Sequence, residues 1–180
     1  MEENNIEETY AGGFIGIHGT VKIENGEHLV IGRNHWVGQG FMTIGSYLIY
    51  SGSLGSGTMH WGILLGSDTS TPTNVSMISL VSGIGGWPNT QSNSGTCYCT
   101  STTPVVLTYT GTWNAGTVSG TLGEVGLYLN LNTAGLNGGI DGGSAGLVSR
   151  LSAADGSFTA FTINSSAALT VTWTVNMVYS

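Results

Sequence analysis

The segment ALTVTWTVNMVY, near the C-terminus, most constrains what this chain can fold into. Leu169, Val171, Trp173, Val175, Met177 and Tyr179 alternate with Thr170, Thr172, Thr174 and Asn176. Side chains two apart share a face of a strand, whereas a helix would scatter them around its circumference. The pattern therefore predicts a long β-strand, buried on one face and covered with hydroxyls on the other. β-Branched and aromatic residues supply both faces, which suits a pleated surface.

Shorter segments repeat this logic. In TVKIENGEHLVIG, Val21 and Ile23 alternate with Lys22 and Glu24, Leu29 and Ile31 resume the alternation, and Asn25-Gly26 is placed to supply the positive φ angles of a hairpin turn. MHWGILL, residues 59–65, reads as a buried strand and SDTSTPT as a polar loop after it. In PVVLTYTGTW, Val105, Leu107 and Tyr109 oppose Val106, Thr108 and Thr110. In GEVGLYLNL, Val125, Leu127, Leu129 and Leu131 form a core face, leaving Glu124, Gly126, Tyr128 and Asn130 on the other. LVSRLSA, an Asp155-Gly156 turn and GSFTAFTIN lead into the final strand. The single helix candidate is 39–50, where Phe41, Ile44 and Leu48 recur at helical spacing. The residues predict an all-β protein: an antiparallel β-sandwich or jelly roll with one short helix. Residues 1–11, acidic and poor in apolar side chains, read as a flexible arm, with one β-sandwich domain over 12–180. Residues 82–101, rich in Gly, Ser, Asn and Thr, suit an exposed excursion.

Charge narrows the function. Only 7% of the 180 residues are charged and the net charge is −7, against about 25% charged in ordinary soluble domains. Lys22, Arg33 and Arg150 are the only fixed cations, too few to neutralise a run of phosphates, so no nucleic-acid partner is expected. No apolar run reaches the roughly 18 to 20 residues of a membrane span, and MEENNIEETY lacks the basic start of a signal peptide. A cytoplasmic origin is expected, with any route outward inside a particle. The Thr-rich sheet faces, neither core nor charged, suit contact with sister subunits, and edge strands such as 168–179 could pair between chains.

Few side chains offer chemistry. GGSAG, residues 142–146, matches the G-x-S-x-G nucleophile motif, but that motif needs a strand before the serine, a helix after it and a later histidine. Here a glycine loop precedes Ser144, and His18, His28, His35 and His60 all lie upstream. Asn130, Asn132, Asn137 and Asp141 could offer oxygens to calcium, but not in EF-hand order and with a single carboxylate. Asp68, Glu124, Asp141 and Asp155 are the carboxylates a glycosidase pair would need, in a chain with little else to build a substrate site. Cys97 and Cys99, two apart, are poorly placed to bridge each other; free thiols, a bridge between subunits and a metal remain as readings. No catalytic residue, metal or cofactor is assigned.

Two sets of residues stand out. Trp173 and Trp61 fall on core faces by alternation, while Trp87 (GGWPN) and Trp113 (GTWNA) sit near loops. An exposed indole can stack on a sugar, so Trp87 and Trp113 are the candidate glycan or partner contacts, local packing being the alternative. From Asn34 to the C-terminus the only formal charges are Asp68, Glu124, Asp141, Arg150 and Asp155. Glu124 and Arg150 lie on strand faces that also carry Tyr128 and Val148. A desolvated charge is costly unless paired and hydrogen-bonded, so a structural ion pair between Glu124 and Arg150, within a subunit or across an interface, is the economical account.

Taken together, GTVKIENGEHLVIGRNHWVGQGFMTIGSYL, WGILLGSDTSTPT, EVGLYLNL, LVSRLSAADGSFTAF and LTVTWTVNMV resemble a family of tailed-virus (bacteriophage-type) structural proteins, tail-fibre-like or capsid-decorating. The similar pattern there is a G-x-v-x-v-x-n-G hairpin, an N-x-v-x-x-G before a short helix, an E-x-G-L strand, an arginine after an aliphatic pair and a terminal l-t-v-x-W-x-v strand. The resemblance spans most of 19–179. It implies a non-enzymatic virion component, commonly a β-sandwich that forms a homo-oligomer, a trimer foremost, or sits on a capsid lattice beside the major capsid or tail proteins. The family's acid, arginine and terminal tryptophan fall on Glu124, Arg150 and Trp173. The stretch 82–101 and the glycine loop before Leu147 are longer than that pattern and are where contacts particular to this protein would sit. A secreted or surface glycan-binding domain using Trp87 or Trp113 is the alternative; under it Asn74-Val-Ser76 and Asn164-Ser-Ser166 would be glycosylation acceptors.

Overall fold

A computed structural model describes residues 15–38, 60–86, 88–96, 105–130 and 145–179. The acidic arm, the helix candidate 39–50, Cys97, Cys99, Trp87 and the glycine loop with Asp141 and Ser144 lie outside them. Among the described residues the chain is all-β, built as two five-stranded antiparallel sheets. Their strands are β1 (Ile15–Asn25), β2 (His28–Arg33), β3 (His35–Trp36), β4 (His60–Gly66), β5 (Gly83–Ile84), β6 (Thr90–Thr96), β7 (Val105–Trp113), β8 (Thr121–Leu122), β9 (Glu124–Asn130), β10 (Ala145–Ser152), β11 (Phe161–Thr162) and β12 (Leu169–Tyr179). Sheet A runs β2-β1-β12-β7-β6 and sheet B runs β3-β10-β9-β4-β5, while β8 and β11 form a small ribbon.

The two sheets face each other across one apolar layer. Val21 and Ile23 from β1, Tyr109 and Trp113 from β7, and Val171, Trp173 and Val175 from β12 meet Ile63 and Leu65 from β4, Val125 and Leu127 from β9, and Leu151 from β10. These are the inward positions of a period-two pattern, and the architecture is a β-sandwich. The core side of the final strand is as its alternation predicts, but its position is not at an edge. β12 lies at the centre of sheet A, paired with β1 on one side from Leu169 to Tyr179 and with β7 on the other from Leu169 to Met177. Its main chain is committed within the subunit and cannot pair with another chain.

The hairpin turn is displaced by one residue from the expected Asn25-Gly26. Asn25 pairs with His28 and the turn is Gly26-Glu27, with Gly26 alone at positive φ, 62°. That is the type II′ preference for glycine at the first central position. Asn25 is instead a buried latch. Its Nδ2 donates to the carbonyls of Asn164, Ala167 and Ala168, and its Oδ1 accepts from the Asn164 amide at 2.6 Å. Residues 82–86 and 88–92 are largely exposed, yet the segment is not an excursion away from the fold: β5 edges sheet B and β6 edges sheet A.

The outer face of sheet A is a grid of hydroxyls. In register across the sheet lie Thr20-Thr174-Thr108, Lys22-Thr172-Thr110-Ser92 and Glu24-Thr170-Thr112-Thr90. The Thr112 and Thr170 hydroxyls are 3.2 Å apart. The outer face of sheet B is different: residues 67–82 cross it as a strap from β4 to β5. Met77 and Leu80 of the strap pack on Val37, Leu64, Tyr128 and Leu147, forming a second apolar cluster.

Candidate functional site

Glu124 and Arg150 sit beneath this strap. β9 and β10 pair antiparallel with Glu124 opposite Ser152 and Arg150 opposite Gly126. Strict alternation would put Leu147 on the same face as Leu151, and Val148 with Arg150. A β-bulge between Leu147 and Ser149 breaks that parity, turning Leu147 outward to meet Tyr128 while Leu151 stays in the core. A bulge places two residues against one and re-aims the side chains beyond it. The outer neighbour of Arg150 is thus Leu147, not the expected Val148.

Space for the two long side chains comes from glycines. A β-carbon on Gly66 would fall 2.4 Å from the Glu124 carboxylate, and one on Gly126 would fall 2.6 Å from Leu147. At Gly123 it would meet the Asp68 carbonyl at 2.3 Å, because the strap's main chain passes directly over that position.

The guanidinium is held at all three nitrogens. Nε donates to Glu124 Oε2 at 2.8 Å, Nη2 lies 2.7 Å from the same oxygen as the ion pair, and Nη2 donates to Asp68 Oδ2 at 3.3 Å. Nη1 donates to the Thr71 carbonyl at 2.7 Å and to Thr73 Oγ1 at 3.2 Å, with Met77 Sδ at 3.8 Å. Each of the three guanidinium nitrogens thereby donates at least one hydrogen bond. Glu124 in turn accepts the main-chain amides of Ser82 at 2.8 Å and Val81 at 3.3 Å. Both Glu124 and Arg150 have 0% exposure. The pair lies within one subunit and joins three segments: β9, β10 and the strap.

Other side chains reinforce the same strap. Asp68 accepts from the Thr71 amide at 2.9 Å and the Ser70 hydroxyl at 3.0 Å. Partial desolvation pushes its carboxyl up, but bonds from the Thr71 amide and then from Ser70 outweigh this and hold it below its ordinary value of 3.8. Asp155 accepts the Thr73 amide at 2.8 Å and hydroxyl at 2.5 Å. The Tyr128 phenol accepts the Leu80 amide at 2.7 Å. Burial raises its pKa above 10.0; the Leu80 hydrogen bond opposes this, while the Glu124 charge adds to it. Main-chain bonds complete the attachment: Leu147 donates to Ile78 O at 3.1 Å, Gly38 to Val75 O at 2.7 Å, and Ser67 to Ser82 O at 2.7 Å.

Chemically, the arrangement is a clamp. Its carboxylates are hydrogen-bonded and turned toward Arg150 or toward strap amides, and both members of the central pair are sealed from solvent. Among the described residues no group of three or more His, Cys, Asp or Glu is disposed to hold a metal ion. A cleft elsewhere, at the seam of β1 and β3, is lined by Ile17, His18, Thr20, Arg33, Asn34 and Trp36. There Asn34 Nδ2 donates to Ser149 Oγ, which donates to the His35 carbonyl at 2.8 Å.

Of the residues singled out in the sequence, Glu124 and Arg150 are brought together, and Trp113 is moved out of consideration. Trp113 is 1% exposed, packs in the core between the sheets, and donates Nε1–H to the Gly86 carbonyl at 2.9 Å. It is the last residue of β7 and its ring follows the inward parity of Tyr109, so it cannot present a stacking face. Alternation put Tyr128 on the face of Glu124, but sequence reasoning missed its hydrogen bond to the strap and missed Asp68, Thr71, Thr73 and Asp155 as members of the cluster. A signal was available for Asp68 alone: Asp-x-Ser-Thr favours side-chain acceptance of the following amides. Compared with protein-family models, curated proteins and solved structures, the chain matches none.

Proposed function

We propose that this protein is a non-enzymatic structural subunit of a tailed-virus particle, serving by assembly as a capsid decoration or tail-fibre component. The observation that carries the reading is the outer face of sheet A. Three rows of threonine and serine cross four strands, with Lys22 and Glu24 as the only charged members of the grid, and they salt-bridge each other at 2.8 Å. A free surface in a soluble protein is normally kept apart from its neighbours by abundant charge. A hydroxyl face buries at modest cost because its groups can hydrogen-bond across an interface. The resemblance of the hairpin, EVGL, LVSR and LTVTW segments to virion proteins supports the same class. Copies of this chain, and the major capsid or tail protein beneath them, are its partners.

The glycan-binding alternative loses one of its two aromatic platforms with the burial of Trp113. The test is the copy number and position of the chain on purified particles, by quantitative mass spectrometry and electron microscopy. A decoration role gives a stoichiometry matching the shell, and a fibre role gives few copies at one vertex. A chain absent from the particle overturns the reading.

A further inference from the structure

The two long edges of sheet A are unlike. β6, TQSNSGT, is polar throughout, whereas β2, HLVIGR, carries Leu29 at 59% and Ile31 at 67% exposure beside an edge that no strand among the described residues pairs with. Natural edge strands are normally blunted by charge, proline, shortness or cover. β3 and β5, the edges of sheet B, are two residues each; β2 has six, with no proline and no charge before Arg33.

The turn determines which peptide groups of β2 are free. The residues closing a two-residue turn, Asn25 and His28, form a hydrogen-bonded pair, and pairs then alternate along the ladder. His28, Val30 and Gly32 therefore direct their N–H and C=O groups to β1, and the Asn34 amide continues this parity by donating to Gly19 O at 3.3 Å. Leu29, Ile31 and Arg33 direct theirs away from the sheet, and among the described residues they have no main-chain partner.

We propose that β2 pairs antiparallel with β2 of a second copy about a twofold axis through Val30. In this register Leu29 lies opposite Ile31 of the second copy, and the outward peptide groups of both strands meet as a hydrogen-bonded pair on each side of the axis. Glu27 and Arg33 stand three residues either side of Val30, so each Arg33 lies opposite Glu27 of the second copy. Both side chains are exposed, and neither has an ion-pair partner among the described residues. This self-complementarity selects a second copy over an unrelated strand: a strand that pairs with itself must satisfy its own charges. The two five-stranded sheets would merge into one ten-stranded sheet, its outer face carrying Leu29 and Ile31 of both copies at the seam and a hydroxyl grid on either side. The contact deepens the assembly reading, and its twofold symmetry differs from the trimer implied by family resemblance.

The test is sedimentation velocity of the full chain at micromolar concentration. Wild type is expected to dimerise. Ile31→Pro removes an amide that faces away from β1, which an edge strand tolerates, and should abolish the dimer while leaving circular dichroism and thermal unfolding close to wild type. If that variant fails to fold, the charge variants decide. Glu27→Lys or Arg33→Glu alone should weaken the dimer roughly three- to tenfold, and the two together should restore it. A monomeric wild type, as would result if another segment covered this edge, overturns the proposal. An oligomer unchanged by Ile31→Pro also overturns it while leaving assembly through other surfaces standing. Failure of the double reversal to restore the dimer overturns the register.

Discussion

At the scale of single residues, the Arg150 guanidinium decides the state of the outer face of sheet B. Removing its charge by Arg150→Met leaves Glu124 buried without its cation and facing only two amides, and should cost about 3–5 kcal/mol in denaturant unfolding. Glu124→Gln strands the guanidinium with Asp68 alone among carboxylates and should also destabilise. The double variant should fall well short of the sum, because no uncompensated central charge then remains; additive losses would show that the two do not act as a pair. The pairing itself was legible from the sequence, because charges are so scarce that each carboxylate has few possible partners. Asp155 was not legible as a member, nor was the bond from the Leu80 amide to Tyr128, since both depend on where strap amides arrive in space.

At the scale of elements, the strap 67–82 is held by side chains whose protonation matters. Asp68 has a folded pKa below its ordinary 3.8, so its contribution is present above that value and is lost as pH falls through the depressed folded value. Hydrogen exchange at Ser70 and Thr71 should therefore accelerate in acid before the sandwich itself opens. Asp68→Asn should bring the same acceleration at neutral pH, and unchanged exchange there would remove Asp68 from the clamp. The strap read as no more than a polar loop in the sequence, because SDTSTPT carries no periodicity. What makes it a structural layer is the apolar pair Met77 and Leu80, a single three-residue interval too short to establish any period.

At the scale of the whole molecule, β12 is the organising strand. It is flanked on both sides in sheet A, and Trp173 lies at its middle, fully buried between the sheets. Trp173→Ala should cost about 3–5 kcal/mol through lost burial and the cavity left behind, and the loss should appear in one cooperative transition read by both near- and far-ultraviolet circular dichroism. A loss of near-ultraviolet signal alone, or a cost within ordinary surface values of about 0.5 kcal/mol, would mean that the core does not depend on this ring.

What the sequence by itself determined was the class of the fold and the inward face of most strands, because a period of two is a local property that hydrophobic burial enforces residue by residue. Val125, Leu127, Val171, Trp173 and Val175 all fall where alternation puts them. Tertiary structure alone decided three things. It placed β12 centrally rather than at an edge, because strand order depends on pairings between distant segments. It turned Leu147 outward, because a single inserted residue at a bulge reverses parity without altering composition. And it converted the second face of sheet B from a surface into an interior, because the strap is held by hydrogen bonds between groups as much as 82 positions apart, a separation that no local pattern encodes.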